Sequence, residues 1–313
     1  MTPRHALHLL LAGLFLVLAG TAEAQRCTAS MSNVSFGTVT LRAGAANSTS
    51  GSLQIDCTGL VQNIGVCVEF GSGDGGAAAG LSPRYMKSGN GSALPFELRR
   101  GGNGTAGNIW RQEFVTVFAL LGGRATMPVF ADIVATGPGA GTSTGPHVST
   151  FSGATGARIR YGVSSCAETG TVAPIPPFQV SAFVSDSCEV DAATLDFGRI
   201  GPDARGGVDA ATGITVRCTR DTNYTVRLGL GTGSGATGPA DRRMTGPLGA
   251  QLRYGLYMDA GRSQPWGDTP GTLPPRVLGT GSSQTFTVFG RIFGDQPLRA
   301  GAYTDSVLVT VEY

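Results

Sequence analysis

Two glycine-rich stretches of the sequence match patterns that carry chemistry in enzymes. Residues 141–145 (Gly-Thr-Ser-Thr-Gly) fit the GxSxG pattern of a nucleophilic serine, and residues 233–238 fit the GxGxxG pattern of a dinucleotide-binding loop. The serine chemistry needs a helix after Ser143 and a histidine in a separate unit, but His147 lies only four residues away. The dinucleotide loop needs a helix after its glycines, and the residues from Pro239 onward show no helical period. We interpret both stretches as loops and predict that the protein is not an enzyme.

Residues that bind metals are equally scarce. Once a predicted N-terminal signal segment is removed, His147 is the single histidine, and the carboxylates are scattered along the chain. Asp74 lies among glycines without the spacing of a calcium-binding loop, so we interpret it as a polar turn residue. We therefore predict no metal site and no cofactor. A spatial pair of carboxylates, as in glycoside hydrolases, leaves no local pattern, which leaves a secreted enzyme open as a minor alternative.

The composition is typical of an exported β protein. Of 313 residues, 14% are charged, 49 are glycine and Lys87 is the one lysine. The net charge is +2 without a basic run, so binding to nucleic acid has no electrostatic support. Beyond the N-terminus, the sequence contains no run of 18 apolar residues that would span a membrane as a helix.

Residues 1–24 have the features of a secretory signal peptide. Arg4 and His5 precede an apolar stretch over residues 6–20, and Ala22-Glu23-Ala24 forms an A-x-A cleavage site. The mature chain is then expected to begin at Gln25. Export places the six cysteines in an oxidising compartment, where an even number predicts disulfides.

The cysteines belong to an internal repeat. Cys27 and Cys188 are each followed by Phe-Gly at offsets +9 and +10 and by a second cysteine at offset +30. The repeat pairs Cys27 with Cys57 and Cys188 with Cys218. Cys67 and Cys166 have no counterparts in the second copy, so we expect them to pair with each other. The predicted organisation is an N-terminal domain over 25–170, a proline-rich linker over 171–177 and a C-terminal domain over 178–313.

Apolar residues alternate with polar ones along both copies, as in half-buried strands. Alternation is clearest over residues 53–57, 214–218, 224–230 and 307–313, and glycine-rich turns separate these runs. Many short strands in domains of this size predict two tandem immunoglobulin-like β-sandwiches. Trp110 and Trp266 occupy matching places, and we expect both to be structural.

The second copy resembles the spore coat protein U domain along its whole length. The resemblance lies in the Cys-x8-Phe-Gly motif and in four further segments: 256–259 (Leu-Tyr-Met-Asp), 266–268 (Trp-Gly-Asp), 285–292 (Thr-Phe-Thr-Val-Phe-Gly-Arg-Ile) and 301–307 (Gly-Ala-Tyr-Thr-Asp-Ser-Val). The first copy matches well as far as Cys57 and then in outline only. Trp110 lacks the following Gly-Asp, and residues 145–147 read Gly-Pro-His.

This resemblance implies a subunit of archaic, Csu-type chaperone–usher pili. Pilins of this kind are sandwiches without their last strand, and the N-terminal segment of a neighbour fills the gap after a periplasmic chaperone has filled it first. Two-domain members resemble the tip adhesin. The implied partners are the chaperone, an outer-membrane usher and the adjacent pilin, and the implied location is the pilus tip at the bacterial surface, with roles in adhesion and biofilm attachment. A secreted coat or matrix protein is the alternative, and a secreted carbohydrate-binding protein is a weaker one.

Three segments carry expectations about assembly. Only Gln25 and Arg26 precede Cys27 after cleavage, so we expect no donor strand from the N-terminus and a terminal place in the pilus. Residues 178–184 lie where ordinary pilins keep their donor segment, but between the domains, so we expect an edge strand or a connector. No strand follows residues 306–313, which predicts an open groove in the second domain; a complete seven-stranded sandwich is the alternative.

The first copy also contains 15 extra residues between positions 121 and 145, rich in apolar side chains. Two interpretations stay open: an additional core strand, or an exposed apolar loop for adhesion. On the second interpretation, the candidate surface-binding residues are Met127, Val129, Phe130 and Ile133.

Overall fold

The chain folds into two β-sandwiches. A computed structural model describes residues 25–42, 45, 47–101, 109–120, 122–134, 137, 141–201 and 206–313, so the predicted signal peptide, 1–24, lies outside the described residues. Three short 3-10 turns, at Ala79–Leu81, Gly153–Thr155 and Pro247–Gly249, are the helical elements in these ranges. None of them is long and apolar enough to cross a membrane. The all-β prediction is confirmed.

Twelve strands of the described residues build the first sandwich. They are β1 (Arg26–Met31), β2 (Val34–Val39), β3 (Ser48–Thr58), β4 (Asn63–Phe70), β5 (Arg84–Lys87), β6 (Ala93–Arg99), β7 (Gln112–Phe118), β8 (Gly123–Ile133), β9 (Gly145–Phe151), β10 (Ala157–Tyr161), β11 (Thr171–Pro174) and β12 (Phe178–Val184). One sheet has the order β1-β3-β8-β6-β5-β9-β12-β2, and the other has the order β11-β10-β4-β7.

Eight strands build the second sandwich. They are β13 (Cys188–Ala192), β14 (Val208–Cys218), β15 (Asn223–Leu228), β16 (Arg242–Thr245), β17 (Gln251–Tyr257), β18 (Val277–Leu278), β19 (Ser283–Ile292) and β20 (Val309–Glu312). The sheets have the orders β13-β14-β19-β17-β16 and β18-β15-β20. These orders repeat those of the first sandwich, with β13-β14-β19-β17-β16 in place of β1-β3-β8-β6-β5.

Four strands of the first sandwich, β2, β9, β11 and β12, have no counterpart among the described strands of the second. β12 is antiparallel to β9 and parallel to β2, so it lies inside the eight-stranded sheet. The expectation of an edge strand or a connector for 178–184 is therefore wrong. β11 adds to the outer side of β10 in the other sheet. Strand pairing thus places residues 171–174 and 178–184 in the first sandwich, and the predicted division at 171–177 does not coincide with it.

The glycine of the Phe-Gly pair in each repeat has a backbone conformation that glycine favours. Gly37 has φ +66° and Gly198 has φ +73°, in the left-handed region where other residues are strained. In the first sandwich, Gly37 lies at a register shift between β2 and β12, where Ser35 pairs with Ser181 and Thr38 pairs with Phe183. The extra residue on β2 is a β-bulge.

A buried arginine and a tryptophan form the same contacts in both cores. The guanidinium of Arg84 donates hydrogen bonds to the carbonyl oxygens of Gly71 (2.8 Å), Phe70 (3.1 Å) and Trp110 (2.8 Å). Arg242 repeats this set with the carbonyl oxygens of Gly229 (2.9 Å), Leu228 (3.1 Å) and Trp266 (2.7 Å). Both arginines and both tryptophans are buried. Burial lowers the pKa of Arg84 to about 10, so its side chain stays charged at neutral pH.

Three disulfides staple the strands. Cys27–Cys57 joins β1 to β3, Cys188–Cys218 joins β13 to β14, and Cys67–Cys166 joins β4 to the loop after β10. The first two pairs are those that the repeat predicts, and the third joins the two cysteines that have no counterparts in the second copy. The first two bridges occupy equivalent positions, and each joins the first strand of its sandwich to the strand beside it.

The Arg84 contacts predict a large effect of substitution. Arg84→Met removes the donor from four carbonyl oxygens, those of Gly71, Phe70, Trp110 and Leu81, and each such group that is buried costs about 1–3 kcal/mol. We expect the free energy of unfolding of the first sandwich to fall by about 3 kcal/mol or more, measured by calorimetry on the full chain. Arg158→Met is the control, because Arg158 is exposed and pairs with Glu69 at the surface, where an ion pair contributes about 1 kcal/mol or less. Equal effects of the two substitutions would contradict the role of Arg84.

Candidate functional site

The second sandwich contains an open groove lined by apolar side chains. Its borders are residues 195–200 and residues 303–308, which lie outside the named strands. Two adjoining cavities of about 440 and 740 Å³ occupy it. The side chains that line these cavities include Leu195, Phe197, Leu228, Met244, Tyr303 and Val307.

The same place in the first sandwich is filled by β12. Phe178, Val180, Ala182 and Val184 alternate along it and are buried in the core. The ring of Phe178 stacks on Phe151 at 4.7 Å between centroids and meets the ring of Phe70 edge-on at 5.8 Å. Seven residues of β12, Phe178–Val184, pair with β9. A strand in this position therefore supplies both a backbone ladder and apolar side chains.

Two pairings show that the groove and β12 occupy equivalent positions. In the first sandwich, Lys87 of β5 pairs with Val148 of β9. In the second, Thr245 of β16 pairs with Thr304, next to the motif that matches the start of β9. Residues 303–308 therefore correspond to β9, and residues 195–200 correspond to β2. The described residues of the second sandwich place no strand between them.

The apolar residues of this groove are less buried than their counterparts in the first sandwich. Val34 and Val39 of β2 are 0% and 3% exposed, whereas Leu195 and Ile200 at the equivalent positions are only partly buried. Val307 and Val311 likewise pack against the core while remaining partly exposed. Leu308 is 72% exposed. The apolar floor of the second sandwich thus lies open to solvent.

Asp305 is the charged side chain in the border formed by residues 303–308. Its carboxylate accepts hydrogen bonds from the hydroxyl of Tyr254 (2.6 Å) and from the backbone N–H groups of Thr232 (2.7 Å), Gly233 (3.2 Å) and Ser306 (2.8 Å). Burial opposes ionisation, but these donors outweigh it and hold the pKa of Asp305 below its ordinary value. Burial, and then the bond to Asp305, raise the pKa of Tyr254.

A second surface feature is an exposed apolar cluster at one end of the first sandwich. Leu60 and Val61 lie in the loop after β3, and Phe118 and Leu120 lie at the loop before β8. Leu60 is 71% exposed, Phe118 53% and Leu120 41%. A bridge between Gly59 and Leu120 joins the two loops. We call Leu60, Val61, Phe118 and Leu120 the apolar end.

The apolar end and the second sandwich lie at opposite ends of the first sandwich. Successive antiparallel pairings run from β8 through β6, β5 and β9 to β12. β8 and β12 therefore run in the same direction. The apolar end precedes the start of β8, whereas the second sandwich follows the end of β12.

The predicted surface-binding residues lie in a strand of the core sheet. Met127, Val129, Phe130 and Ile133 belong to β8, which pairs with β3 on one side and with β6 on the other. Val129 is 0% exposed and Ile133 is 8% exposed, while Met127 packs against the core and Phe130 is half-buried. The interpretation as an additional core strand fits these positions, and the exposed-loop interpretation does not, because the segment is a paired strand in which Val129 and Ile133 are buried.

The residues of the two enzyme-like motifs lie in backbone contacts and in loops. Ser143 is buried, and its neighbours Thr142 and Thr144 form backbone hydrogen bonds with Arg220, which join the two sandwiches. Residues 233–238 form a loop without a helix. The Asp74 carboxylate accepts a hydrogen bond from the backbone N–H of Thr150 (2.7 Å). Within the described residues, no group of three or more His, Cys, Asp and Glu side chains could hold a metal ion.

Sequence reasoning missed the apolar end and the contribution of β12. The available signal for Leu60 and Val61 was the presence of apolar residues directly after Cys57. These residues lie in a loop that the strand pattern does not include. For β12, the signal was an alternating apolar segment placed before Cys188 without a counterpart before Cys27.

Comparison with known proteins gives the relatives of the chain. The model of the Spore Coat Protein U domain matches residues 13–150 and 176–310. Protein U of Myxococcus xanthus is 35% identical over 129 residues, which are 38% of this chain and 72% of that protein. The CsuC–CsuE chaperone–tip adhesion subunit complex from archaic chaperone–usher Csu pili of Acinetobacter baumannii matches with a TM-score of 0.51 and 17% identity, over 91% of this chain and 100% of that chain.

His147 gives a prediction about pH. It is buried in β9, and its Nδ1 lies 3.1 Å from the carbonyl oxygen of Gly145. Burial lowers the pKa of His147 below its ordinary value of 6.5. The unfolded chain therefore takes up a proton as the pH falls through about 6.5, while the folded chain does so only at lower pH. The free energy of unfolding should fall by up to about 1.4 kcal/mol per pH unit in this window.

The test compares thermal unfolding of the full chain and of His147→Gln between pH 7.5 and 5. Carboxylates titrate equally in both proteins, so their difference isolates the imidazole. We expect the wild-type melting temperature to fall relative to that of the variant on acidification. Parallel curves would show that His147 does not titrate in this way.

Proposed function

Because the chain belongs to the Spore Coat Protein U domain family, we propose that it is the tip subunit of a surface pilus. The first sandwich binds the target surface, and the second accepts a strand from a periplasmic chaperone and then from the next pilin at an outer-membrane usher. One observation carries the proposal: β12 fills the first sandwich from within the chain, whereas the equivalent groove of the second is open.

A subunit with one filled and one open groove can accept a neighbour at one end only. The open groove offers unpaired backbone groups on both borders and an apolar floor between them. Such an edge is prone to aggregation unless it is covered, and addition of an extended segment satisfies both the backbone and the side chains. This supports the involvement of a chaperone before assembly and of a pilin donor segment afterwards.

The position of the apolar end supports the adhesive role. It lies opposite the second sandwich, so it would point away from the pilus shaft. Exposed apolar side chains on a secreted domain are typical of contact sites. Covering them on a flat apolar surface gains about 25 cal/mol per Å² of apolar area removed from water. Adhesion and attachment in a biofilm follow from such contacts.

The family description and the similarity to protein U also favour a second function, assembly in an extracellular coat or matrix without a pilus. Both functions use the same open groove. Antibody labelling in electron microscopy separates them, because a tip subunit is found at fibre ends and a coat protein is distributed over the surface layer. Labelling along the length of the shaft would contradict the tip position.

The groove predicts binding of a strand that resembles β12. A peptide with the sequence of residues 176–186 should bind the full chain and raise the melting temperature of the second sandwich. At a peptide concentration 100 times Kd, the stabilisation is about 2.7 kcal/mol. Calorimetry and titration measure the two effects.

Two controls make this test specific. In the peptide, Val180→Asp places a charge at a buried position of the strand and should abolish binding. In the protein, Val307→Arg places a charge in the groove and should weaken binding at least tenfold. Absence of binding to the wild type, or equal binding of both peptides, would show that the groove does not accept such a strand.

The apolar end predicts loss of adhesion without loss of assembly. Replacing Leu60, Val61, Phe118 and Leu120 with serine should reduce attachment of piliated cells to a hydrophobic surface at least tenfold, because each side chain loses its apolar contact. The matched control is Leu248→Ser with Leu278→Ser, since both leucines are exposed on the second sandwich and neither lines the groove. Attachment is counted on cells whose pili carry the subunit in equal amounts. Unchanged attachment of the quadruple variant would contradict an adhesive role of the apolar end.

A further inference from the structure

The border of the groove at residues 303–308, which we call the acceptor edge, lacks the ladder that holds its counterpart. In the first sandwich, β9 pairs with β12 along the whole of β12. The acceptor edge has the pairing of Thr304 with Thr245, with N–H to carbonyl oxygen distances of 3.1 and 2.9 Å. Without further contacts, a segment of this kind would lose its extended conformation while the groove is empty.

Asp305 supplies such contacts from the middle of the acceptor edge. Besides the backbone N–H groups of Thr232 and Gly233, it accepts a hydrogen bond from the hydroxyl of Thr232 (3.0 Å). The bond from Tyr254 (2.6 Å) attaches it to β17. The carboxylate thus ties the edge both to the loop after β15 and to the sheet.

The first sandwich has Ser149 at the position of Asp305. A side chain on Gly73 would meet the hydroxyl of Ser149, and one on Gly231 would meet the carboxylate of Asp305, so the two residues face the same loop. Ser149 is buried, and its hydroxyl makes no hydrogen bond within the described residues. Where β12 pairs with the edge, the hydroxyl of Ser149 is unbonded and a loop carboxylate, that of Asp74, accepts a hydrogen bond from the edge at Thr150. Where the neighbouring strand is missing, the carboxylate lies on the edge itself and has five donors.

We infer that Asp305 is a positioning residue for strand addition, which holds the acceptor edge extended and close to the sheet until a donor strand pairs with it. This inference rests on the proposed function of the groove. After the donor strand has paired with residues 303–308, its ladder holds them, as β12 holds β9. Asp305 then affects the rate at which the donor strand binds and has little effect on the rate at which it dissociates.

Hydrogen exchange tests the inference in the full chain without any ligand. Asp305→Ser copies the first sandwich and should accelerate exchange at residues 303–308, at least tenfold for the Thr304 amide, which donates to the carbonyl oxygen of Thr245. The amides of Val309–Glu312, which belong to β20, should keep their protection. Asp259→Ser is the matched control, because Asp259 also accepts hydrogen bonds from loop N–H groups, those of Ser263 (3.0 Å) and Gln264 (2.7 Å), but does not line the groove. Unchanged exchange at 303–308 would overturn the inference.

Binding kinetics distinguish a positioning role from a general structural one. For the peptide with the sequence of residues 176–186, Asp305→Ser should lower the association rate constant at least fivefold and leave the dissociation rate constant within twofold. A change confined to dissociation would overturn the inference. Tyr254→Phe keeps the ring and removes one donor, so it should give an intermediate effect, and it decides the question if Asp305→Ser unfolds the second sandwich. Failure of the peptide to bind the wild type contradicts the proposed function, while the exchange measurement still judges Asp305.

Discussion

The hydrogen-bonding groups at the edge of a β-sheet need partners, and this requirement shapes both halves of the molecule. A sandwich that leaves two facing borders without a strand between them exposes backbone N–H and C=O groups together with the apolar residues of its floor. The first half satisfies its borders with β12, which pairs with β9 and β2 at once. The second half has the same borders, and the described residues place no strand between them.

The remaining parts of each sandwich do not depend on the missing strand. The disulfide between the first two long strands, the Phe-Gly turn and the buried arginine beside a tryptophan recur in both halves. In each half, the arginine donates to four carbonyl oxygens, which include the end of one strand and the tryptophan. These contacts hold the two sheets together without the strand that is absent from the groove. An open groove is therefore compatible with a folded second sandwich.

The sequence allowed prediction of features that depend on local spacing. Cysteines and Phe-Gly pairs at equal offsets predicted the repeat, and alternation of apolar residues predicted strands, because both patterns reflect nearby positions. The partners of a strand depend on distant residues, so alternation over 178–184 could not show that β12 lies between β9 and β2. The same limit affected Val129 and Ile133, whose apolar character suits an exposed contact as well as a buried strand. Leu60 lies in a loop and Phe118 is the last residue of β7, so alternation along a strand carries little information about their exposure.

The short connection after β12 explains why one segment closes the first sandwich and cannot serve the second. Val184 and Cys188 are four residues apart, and an extended chain spans about 3.3–3.6 Å per residue, so the end of β12 stays within about 14 Å of β13. Ser185 and Ser187 donate hydrogen bonds to the backbone of the first sandwich at Val39 and Leu41, which fixes the connection further. With β12 enclosed between two strands and its exit held in this way, the segment is not free to reach another subunit. In the proposed pilus, the subunit therefore uses its own donor segment internally, and its open groove accepts the donor segment of a neighbour.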